Sequence, residues 1–245
     1  MPTLILVRHG RSTANTSGVL AGRTPGVTLD EQGQRQAGEL PARLARLPLA
    51  AAVSSPLRRC QETLAPLTAA RPGVPLHTEE RITECDYGEW SGRKLAELND
   101  EPLMETVQQH PSAAVFPAGE SLRAMQARAV EAVREWNARI AERHGADAVY
   151  AMCSHGDIIK SIVADALGMH LDLFQRISVG PCSATVITYT PRRPFLLRLG
   201  DTGELASLAP PERGEDDADE AAGPGPGGGA GPGPGDGRAT VGGSA

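Results

Sequence analysis

The chain has 245 residues, which is enough for one α/β domain of about 200 residues with a sizeable core. Its formal net charge is -6 and it contains no long basic run, which argues against nucleic acid as the main partner. The sequence has no long apolar run, no basic start followed by an apolar stretch, and no Cys-x-x-Cys pair. It therefore predicts a cytoplasmic protein with reduced cysteines, without a signal peptide, membrane span or zinc ribbon.

The first predicted elements are a strand and a helix. Residues 4–7 form a short, continuous apolar run, which is typical of a strand buried on both faces of a parallel sheet. The run ends at Arg8-His9-Gly10, and open α/β sheets bind ligands beyond the carboxyl ends of their strands. Asp30 is predicted to cap a helix with apolar residues three and four apart, and Pro41 predicts a kink or break in it.

The middle of the chain predicts two more strands, an insertion and a long helix. Residues 49–55 are typical of a strand, and Pro56 suits the first turn of a helix after it. Residues 74–78 are a further strand candidate, and residues 91–118 are predicted to be a lid-like insertion with helical character in its first part. Ser121 is predicted to cap a long helix. The apolar stripe of that helix is Leu122, Met125, Ala129, Val133, Trp136 and Ile140.

The last third of the chain completes the predicted sheet. Residues 147–153 are typical of a strand that ends at Ser154-His155-Gly156, and a helix is expected to follow to about residue 167. Residues 183–189 and 195–199 predict two late strands that form an antiparallel edge. The alternation of strands and helices predicts a three-layer α/β/α sandwich with a mostly parallel central sheet.

Composition divides the chain near its C-terminal end. The folded domain is predicted over residues 1–205. Residues 210–245 begin with an acidic stretch, continue with Gly-Pro repeats and contain almost no apolar residues. We expect this tail to be disordered, because it cannot bury enough apolar surface to offset the entropy of ordering.

Polar residues follow the predicted strands at the edge where a ligand would bind. His9 and His155 each stand at a strand end, and each precedes a glycine, which lets the backbone approach a ligand closely. Residues 54–59 add two arginines, and residues 81–88 add carboxylates. Arginine forks bind phosphate oxygens, a neutral imidazole can accept a phosphoryl group, and a carboxylic acid can protonate a leaving alkoxide. This set of side chains predicts phosphoryl transfer.

At these positions the sequence resembles a known family. The stretch Leu-Val-Arg-His-Gly-x-Ser-x-x-Asn at residues 6–15 is similar to the signature of the histidine phosphatase, or phosphoglycerate mutase-like, superfamily. The resemblance extends over about residues 3–200 and implies a phosphoglycerate mutase-like fold. Four later blocks match the family pattern in the same order, at residues 55–59, 84–88, 119–121 and 154–156.

The resemblance implies a role for each matching residue. His9 would be the nucleophile that becomes phosphohistidine, with one ring nitrogen held by the carbonyl group of Gly10. Glu84 would donate a proton to the leaving group. The other matching residues would bind the phosphoryl oxygens, and the two arginines and the second histidine would also offset charge in the transition state. These residues are Arg8, Asn15, Arg59, His155 and Gly156.

Three neighbouring residues have predicted roles outside the phosphate site. Arg58 is expected on a solvated helix face, because surface arginines are the common case. Asp157 is expected to cap the helix that follows it. Glu120 stands at a helix start, where the helix dipole favours an anion whether or not the residue reaches the site.

Four functional hypotheses remain at this stage. Hydrolysis of a small phosphate ester, without metal or cofactor, is favoured. A phosphomutase is second, because the insertion supplies Arg93 and Lys94 but no further arginine or lysine to hold a doubly phosphorylated ligand. A two-histidine, one-carboxylate metal site is disfavoured by the neighbouring arginines. A non-catalytic module that binds phosphorylated ligands is the fourth, and neither the substrate nor the oligomeric state is predicted.

Overall fold

The computed structural model describes residues 2–203, which form a six-stranded sheet with helices on both faces. The strand order is β3-β2-β4-β1-β5-β6. β1 pairs with β4, β4 with β2, and β2 with β3 in parallel, whereas β5 pairs antiparallel with β1 and β6 antiparallel with β5. The predicted mostly parallel sheet with an antiparallel edge is confirmed. The strands are β1 Thr3–Arg8, β2 Leu49–Ser54, β3 Leu76–Thr78, β4 Val149–Ser154, β5 Ala184–Tyr189 and β6 Pro194–Asp201.

Helices cover both faces of the sheet and give the predicted sandwich. On one face, Leu40 of α2 and Leu64 of α3 pack in a cluster with Val7 of β1. On the other face, α6 and α7 pack in a larger cluster with the remaining core side chains. Within residues 2–203 the α-helices are α1 Thr13–Thr16, α2 Glu31–Arg43, α3 Arg58–Ala70, α4 Leu95–Leu98, α5 Pro102–Gln109, α6 Leu122–His144 and α7 Gly156–Ala166.

The break expected at Pro41 does not occur, a kink there stays a prediction, and the helix expected to begin at Pro56 begins later in the chain. The helix capped by Asp30 passes through Pro41 and ends at Arg43, because Leu40 and Leu44 remain buried against the sheet and hold the last turn. Pro56 lies outside the helix that it was expected to begin, because α3 starts at Arg58 after Leu57. Each of these helix boundaries is misplaced by only a few residues, and local sequence signals are weakest at helix ends.

The predicted insertion belongs to the same folded body as the sheet. Residues 91–118 contain α4 and α5, and their buried side chains include Leu98, Met104 and Val107 in the larger core cluster. Its role as a lid stays a prediction. None of the helices in residues 2–203 has the length and apolar character that a membrane crossing requires. The predicted tail at residues 210–245 and the end of the predicted domain at residue 205 lie outside the described residues.

The start of the long helix allows a direct test of stability. The Ser121 Oγ accepts a hydrogen bond from the Ala124 N–H at 3.1 Å, as the predicted cap requires. We expect Ser121→Ala to lower the free energy of unfolding by about 1 kcal/mol, because one N–H at the helix start loses its partner. Urea denaturation measures the change. Ser121→Asn is the control, since asparagine caps equally well, and equal midpoints for Ser121→Ala and the native chain would contradict the cap.

Candidate active site

Two adjacent parallel strands bring the two predicted histidines together. His9 follows β1 and His155 follows β4, and the His9 N–H donates to the Ser154 carbonyl at 3.0 Å. The ring centroids of the two imidazoles are 5.3 Å apart. His9 keeps 3% of its surface exposed, whereas His155 is fully buried. The carboxyl ends of these two strands therefore carry both imidazoles.

The hydrogen bonds of His9 determine which ring nitrogen can react. Its Nδ1 lies 2.8 Å from the Gly10 carbonyl oxygen, which can only accept, so Nδ1 carries the proton and Nε2 keeps its lone pair. Burial lowers the pKa of His9 well below its ordinary value, and the charges of Arg59 and Arg8 lower it further. The imidazole is therefore neutral at physiological pH and carries an available lone pair on Nε2.

A close backbone approach explains the glycine after His9. A Cβ atom at Gly10 would lie 2.7 Å from the carbonyl oxygen of Gly33, closer than real Cβ contacts allow. The Gly10 N–H donates to the Thr63 Oγ1 at 2.9 Å, and that hydroxyl donates to the Arg59 carbonyl at 2.6 Å. The loop that carries His9 is thus attached to α3, which also carries one of the arginines.

Two buried arginines near the histidines have N–H donors without a hydrogen-bond partner in the described part of the chain. Arg8 is 1% exposed, and its Nη1 donates to the Val179 carbonyl at 2.7 Å. Arg59 is 2% exposed, and its Nη2 lies 2.9 Å from the Gly22 carbonyl. The Nε and Nη2 of Arg8 and the Nε of Arg59 have no hydrogen-bond partner within residues 2–203. Burial lowers the pKa of Arg8 to about 10, so its guanidinium remains charged at neutral pH.

His155 has both ring nitrogens in contact with protein groups. Its Nδ1 lies 3.1 Å from Nη2 of Arg59, which can only donate, so Nδ1 is the acceptor. Its Nε2 is then protonated and donates to the Ser55 Oγ at 2.8 Å. Burial, together with the charge of Arg59, lowers the pKa of His155 well below its ordinary value. The second imidazole is therefore neutral and held rigidly from two sides.

Glu84 is a buried carboxyl group beside these cations. Its side chain is 2% exposed, and Oε1 accepts a hydrogen bond from the Cys85 N–H at 2.9 Å. Burial raises the pKa of Glu84 to about 7, the charge of Asp157 adds to this effect, and Arg59 and Arg8 oppose it. A carboxyl group with this pKa is present in both protonation states near neutral pH, as a residue that both gives and takes a proton requires.

The two remaining predicted phosphate ligands occupy loop and helix starts. Asn15 uses its Oδ1 to accept from the Ser12 N–H at 3.0 Å and from the Ser12 hydroxyl at 2.8 Å, which caps α1. Only the Asn15 amide nitrogen is then suited to a phosphate oxygen. Gly156 is the first residue of α7, where backbone N–H groups and the helix dipole favour an anion.

Sequence reasoning missed the groups that hold the Glu84 backbone. The carbonyl of Glu84 accepts from Arg23 at 2.9 Å and from Arg128 at 3.2 Å. Glu120 pairs with both of these arginines, at 2.9 and 2.6 Å, so it supports this segment and does not point to the histidines. Arg23 and Glu120 are far apart in the chain, and no spacing rule could have linked them.

The prediction that Asp157 caps a helix is wrong, and the prediction that Arg58 lies on a solvated helix face is confirmed. Asp157 does not cap α7, because His155 is the residue before the helix and Asp157 lies inside its first turn. Its carboxylate is 1% exposed and accepts from the Tyr87 hydroxyl at 2.7 Å. Arg58 is exposed and pairs with Glu62 at 2.8 Å, as expected for a solvated helix face.

The described part of the chain contains no cluster of side chains that would support the metal-site hypothesis. Over residues 2–203, no group of three or more His, Cys, Asp or Glu side chains is arranged to hold a metal ion. His9 and His155 stand beside two guanidinium groups, which would repel a dication. Metal independence stays a prediction.

Comparison with known proteins identifies the family. Residues 4–202 match the model of the histidine phosphatase superfamily, branch 1. The chain therefore belongs to the histidine phosphatase superfamily, as the ordered motif blocks implied. The matched residues run from β1 to β6 and so include every residue of the candidate site.

Individual relatives have more specific names. The chain is 31% identical to phosphoserine phosphatase 1 of Hydrogenobacter thermophilus, over 85% of this chain and 96% of that protein. It is 28% identical to a 2,3-bisphosphoglycerate-dependent phosphoglycerate mutase of Gloeobacter violaceus, over 74% and 83% of the two chains. Among solved structures, YhfR of Bacillus stearothermophilus superposes with a TM-score of 0.74 at 27% identity, covering 82% of this chain and 98% of that one.

Proposed function

We propose that this protein is a phosphatase that hydrolyses a small phosphorylated metabolite through a phosphohistidine on His9. The observation that carries the proposal is the neutral His9 imidazole, with a free lone pair on Nε2, beside two buried arginines with unpaired N–H groups. A buried donor without a partner costs about 1–3 kcal/mol. A phosphate dianion at this position would pair with the free donors of Arg8 and Arg59 and offset their charges.

In the first step, Nε2 of His9 attacks the phosphorus and the bond to the ester oxygen breaks. Protonated Glu84 gives its proton to that oxygen, so the products are the alcohol and phosphohistidine. The Nδ1–H bond to the Gly10 carbonyl stabilises the positive charge that develops on the ring. In the second step, the Glu84 carboxylate takes a proton from water, the oxygen attacks phosphorus, and the P–N bond breaks to release phosphate.

Binding of the phosphoryl group would change the contacts of His155. Its Nδ1 accepts a hydrogen bond from Arg59, so an oxygen can reach it only when that guanidinium turns to the phosphate. The proton of His155 would then move to Nδ1, which donates to the oxygen. The Asn15 amide and the Gly156 N–H are the remaining proposed donors.

Hydrolysis is favoured over a mutase reaction by the charges of the insertion. A mutase must retain a second phosphate, yet Arg93 is already paired with Glu101 at 2.6 Å. Lys94 is then the remaining lysine or arginine in residues 91–118. The similarity to a phosphoserine phosphatase over nearly its full length supports the same choice, although a mutase is also among the relatives.

A substrate panel tests the proposal. We expect phosphate release into water from O-phosphoserine or another small phosphorylated metabolite, and no conversion of 3-phosphoglycerate to 2-phosphoglycerate with or without 2,3-bisphosphoglycerate. The panel is assayed with and without a chelator, and turnover should be unchanged because the proposed reaction uses no metal. Isomerisation faster than hydrolysis would establish the mutase alternative, and loss of activity on chelation would contradict metal independence.

We also propose a cytoplasmic location, which fractionation of the source cells tests.

A further inference from the structure

A buried ion pair lies in α7, the helix that follows His155, and has no part in the mechanism described so far. Asp157 stands two residues after His155 in the first turn of α7 and is 1% exposed. Its Oδ1 lies 3.5 Å from the ammonium group of Lys160, which is itself only 4% exposed. Lys160 also donates to the Gln175 Oε1 at 3.0 Å. Taking two charges out of water is costly, so such a pair beside a reaction centre calls for a reason.

Tyr87 connects this pair to the segment that carries the general acid. Its hydroxyl donates to Oδ2 of Asp157 at 2.7 Å, and Tyr87 is three residues after Glu84 in the same short segment. Burial raises the pKa of Tyr87 well above its ordinary value, so the hydroxyl remains a donor at every working pH. The hydrogen bond fixes the Asp157 carboxylate relative to the Glu84 segment.

We propose that Asp157 is a positioning residue for the general acid, whose fixed negative charge keeps Glu84 protonated when substrate arrives. The inference rests on the proposed function and names a residue that acts through Glu84, without contact to the substrate. Arg8 and Arg59 alone would favour an ionised Glu84, which could not protonate a leaving group. The buried Asp157 carboxylate, which Tyr87 holds to the Glu84 segment, brings a negative charge that offsets these cations.

The electrostatic surroundings of Glu84 support this reading. Burial raises the pKa of Glu84 most, and three elements bring charges to it: Arg8 from β1, Arg59 from α3 and Asp157 from α7. Among these charges only that of Asp157 raises the pKa further, and the Lys160 ammonium group, 3.5 Å from Asp157 Oδ1, offsets part of it. Two further guanidinium groups contact its backbone carbonyl, from Arg23 and from Arg128 of α6, and both are paired with Glu120. The imidazoles of His9 and His155 are neutral, because burial and the arginines lower their pKa values.

The experiment compares Asp157→Asn with the native enzyme in pH profiles of kcat/KM. The substrate is O-phosphoserine, whose alkoxide leaving group needs a proton, and the profile covers about pH 5 to pH 9. Loss of the negative charge lowers the pKa of Glu84, so the alkaline limb should begin about one pH unit lower, and activity at about pH 8 should fall about tenfold. The same variant should affect p-nitrophenyl phosphate much less, because its leaving group departs without protonation.

Two further variants separate an electrostatic effect from a structural one. Asp165→Asn makes the same chemical change on the same helix at an exposed ion pair with Arg134, and its alkaline limb should match that of the native enzyme. If Asp157→Asn does not fold, the double variant Asp157→Asn with Lys160→Met is measured instead, because removing both charges leaves no buried ion unpaired. It should show a downward shift that is smaller than that of Asp157→Asn, because the Lys160 charge that partly offsets Asp157 is removed with it.

The outcomes distinguish the two levels of the argument. A folded Asp157 variant with an unmoved alkaline limb overturns the inference and leaves the phosphatase proposal intact. A native enzyme that hydrolyses O-phosphoserine without any alkaline limb also overturns it. Absence of phosphate release from every phosphate ester, p-nitrophenyl phosphate included, would instead contradict the proposed function itself.

Discussion

Replacing His9 by alanine should abolish phosphate release, with a loss on the order of 10⁵-fold or more in kcat, as for removal of the nucleophile in other covalent enzymes. The physical reason is that the neutral Nε2 is the proposed attacking atom. The Nδ1 proton bonded to the Gly10 carbonyl leaves Nε2 as the ring nitrogen that carries the lone pair. Initial rates with p-nitrophenyl phosphate measure the loss. A rapid quench into alkali, in which phosphohistidine is stable, should detect a phosphoenzyme in the native protein and none in His9→Ala.

The matched control for this variant is His144→Ala. His144 is exposed in the last turn of α6, which leads to the amino end of β4, whereas the site lies at the carboxyl end. Its replacement should leave the rate near the native value. Phosphate release that His9→Ala does not reduce would mean that His9 is not the nucleophile. Tight binding of phosphorylated ligands with no turnover by the native chain would favour the binding-module hypothesis.

Replacing Glu84 by glutamine should slow turnover in proportion to how much the leaving group needs a proton. With an alkyl phosphate we expect a loss on the order of 10² to 10⁴-fold, the range that general acid catalysis contributes. With p-nitrophenyl phosphate the loss should be far smaller, because the nitrophenolate is stable without a proton. Parallel kcat/KM measurements on the two substrates make the comparison. Equal losses on both would show that Glu84 is not the general acid.

The pH dependence of the same variant provides an independent check. The proposed acid works when protonated, and its pKa is raised to about 7, so kcat/KM for the alkyl phosphate should fall as the pH rises above this value. Glutamine cannot titrate, and Glu84→Gln should therefore lack this alkaline limb. Glu89→Gln is the control, since Glu89 is exposed in the same segment, and its profile should match the native one.

Much of the site could be predicted because its parts follow strands. A buried strand is recognisable from a short apolar run, and parallel neighbours end at the same edge of a sheet, so His9 and His155 were expected together. The structure places their centroids 5.3 Å apart. The Ser121 cap and the apolar stripe of α6 were predictable for the same reason, since both depend on residues within a few turns of one helix.

Boundaries and secondary roles were less predictable. The expected break at Pro41 and the expected cap at Asp157 were both local inferences that packing overrode, because buried neighbours hold α2 together and Tyr87 draws Asp157 into the interior. Asn15 was expected on phosphate, yet its side-chain oxygen caps α1, and only its amide remains for that role.

The fold class, the family and the chemical groups of the site could all be predicted from the sequence, since each is encoded in short segments with a recognisable order. The protonation states that make those groups useful depend on the three-dimensional fold. The neutral form of His9 and the raised pKa of Glu84 arise from burial and from charges that come from separate elements. Those charges meet through folding alone, and no spacing along the chain reports how deeply a carboxyl group is buried or which ion lies behind it.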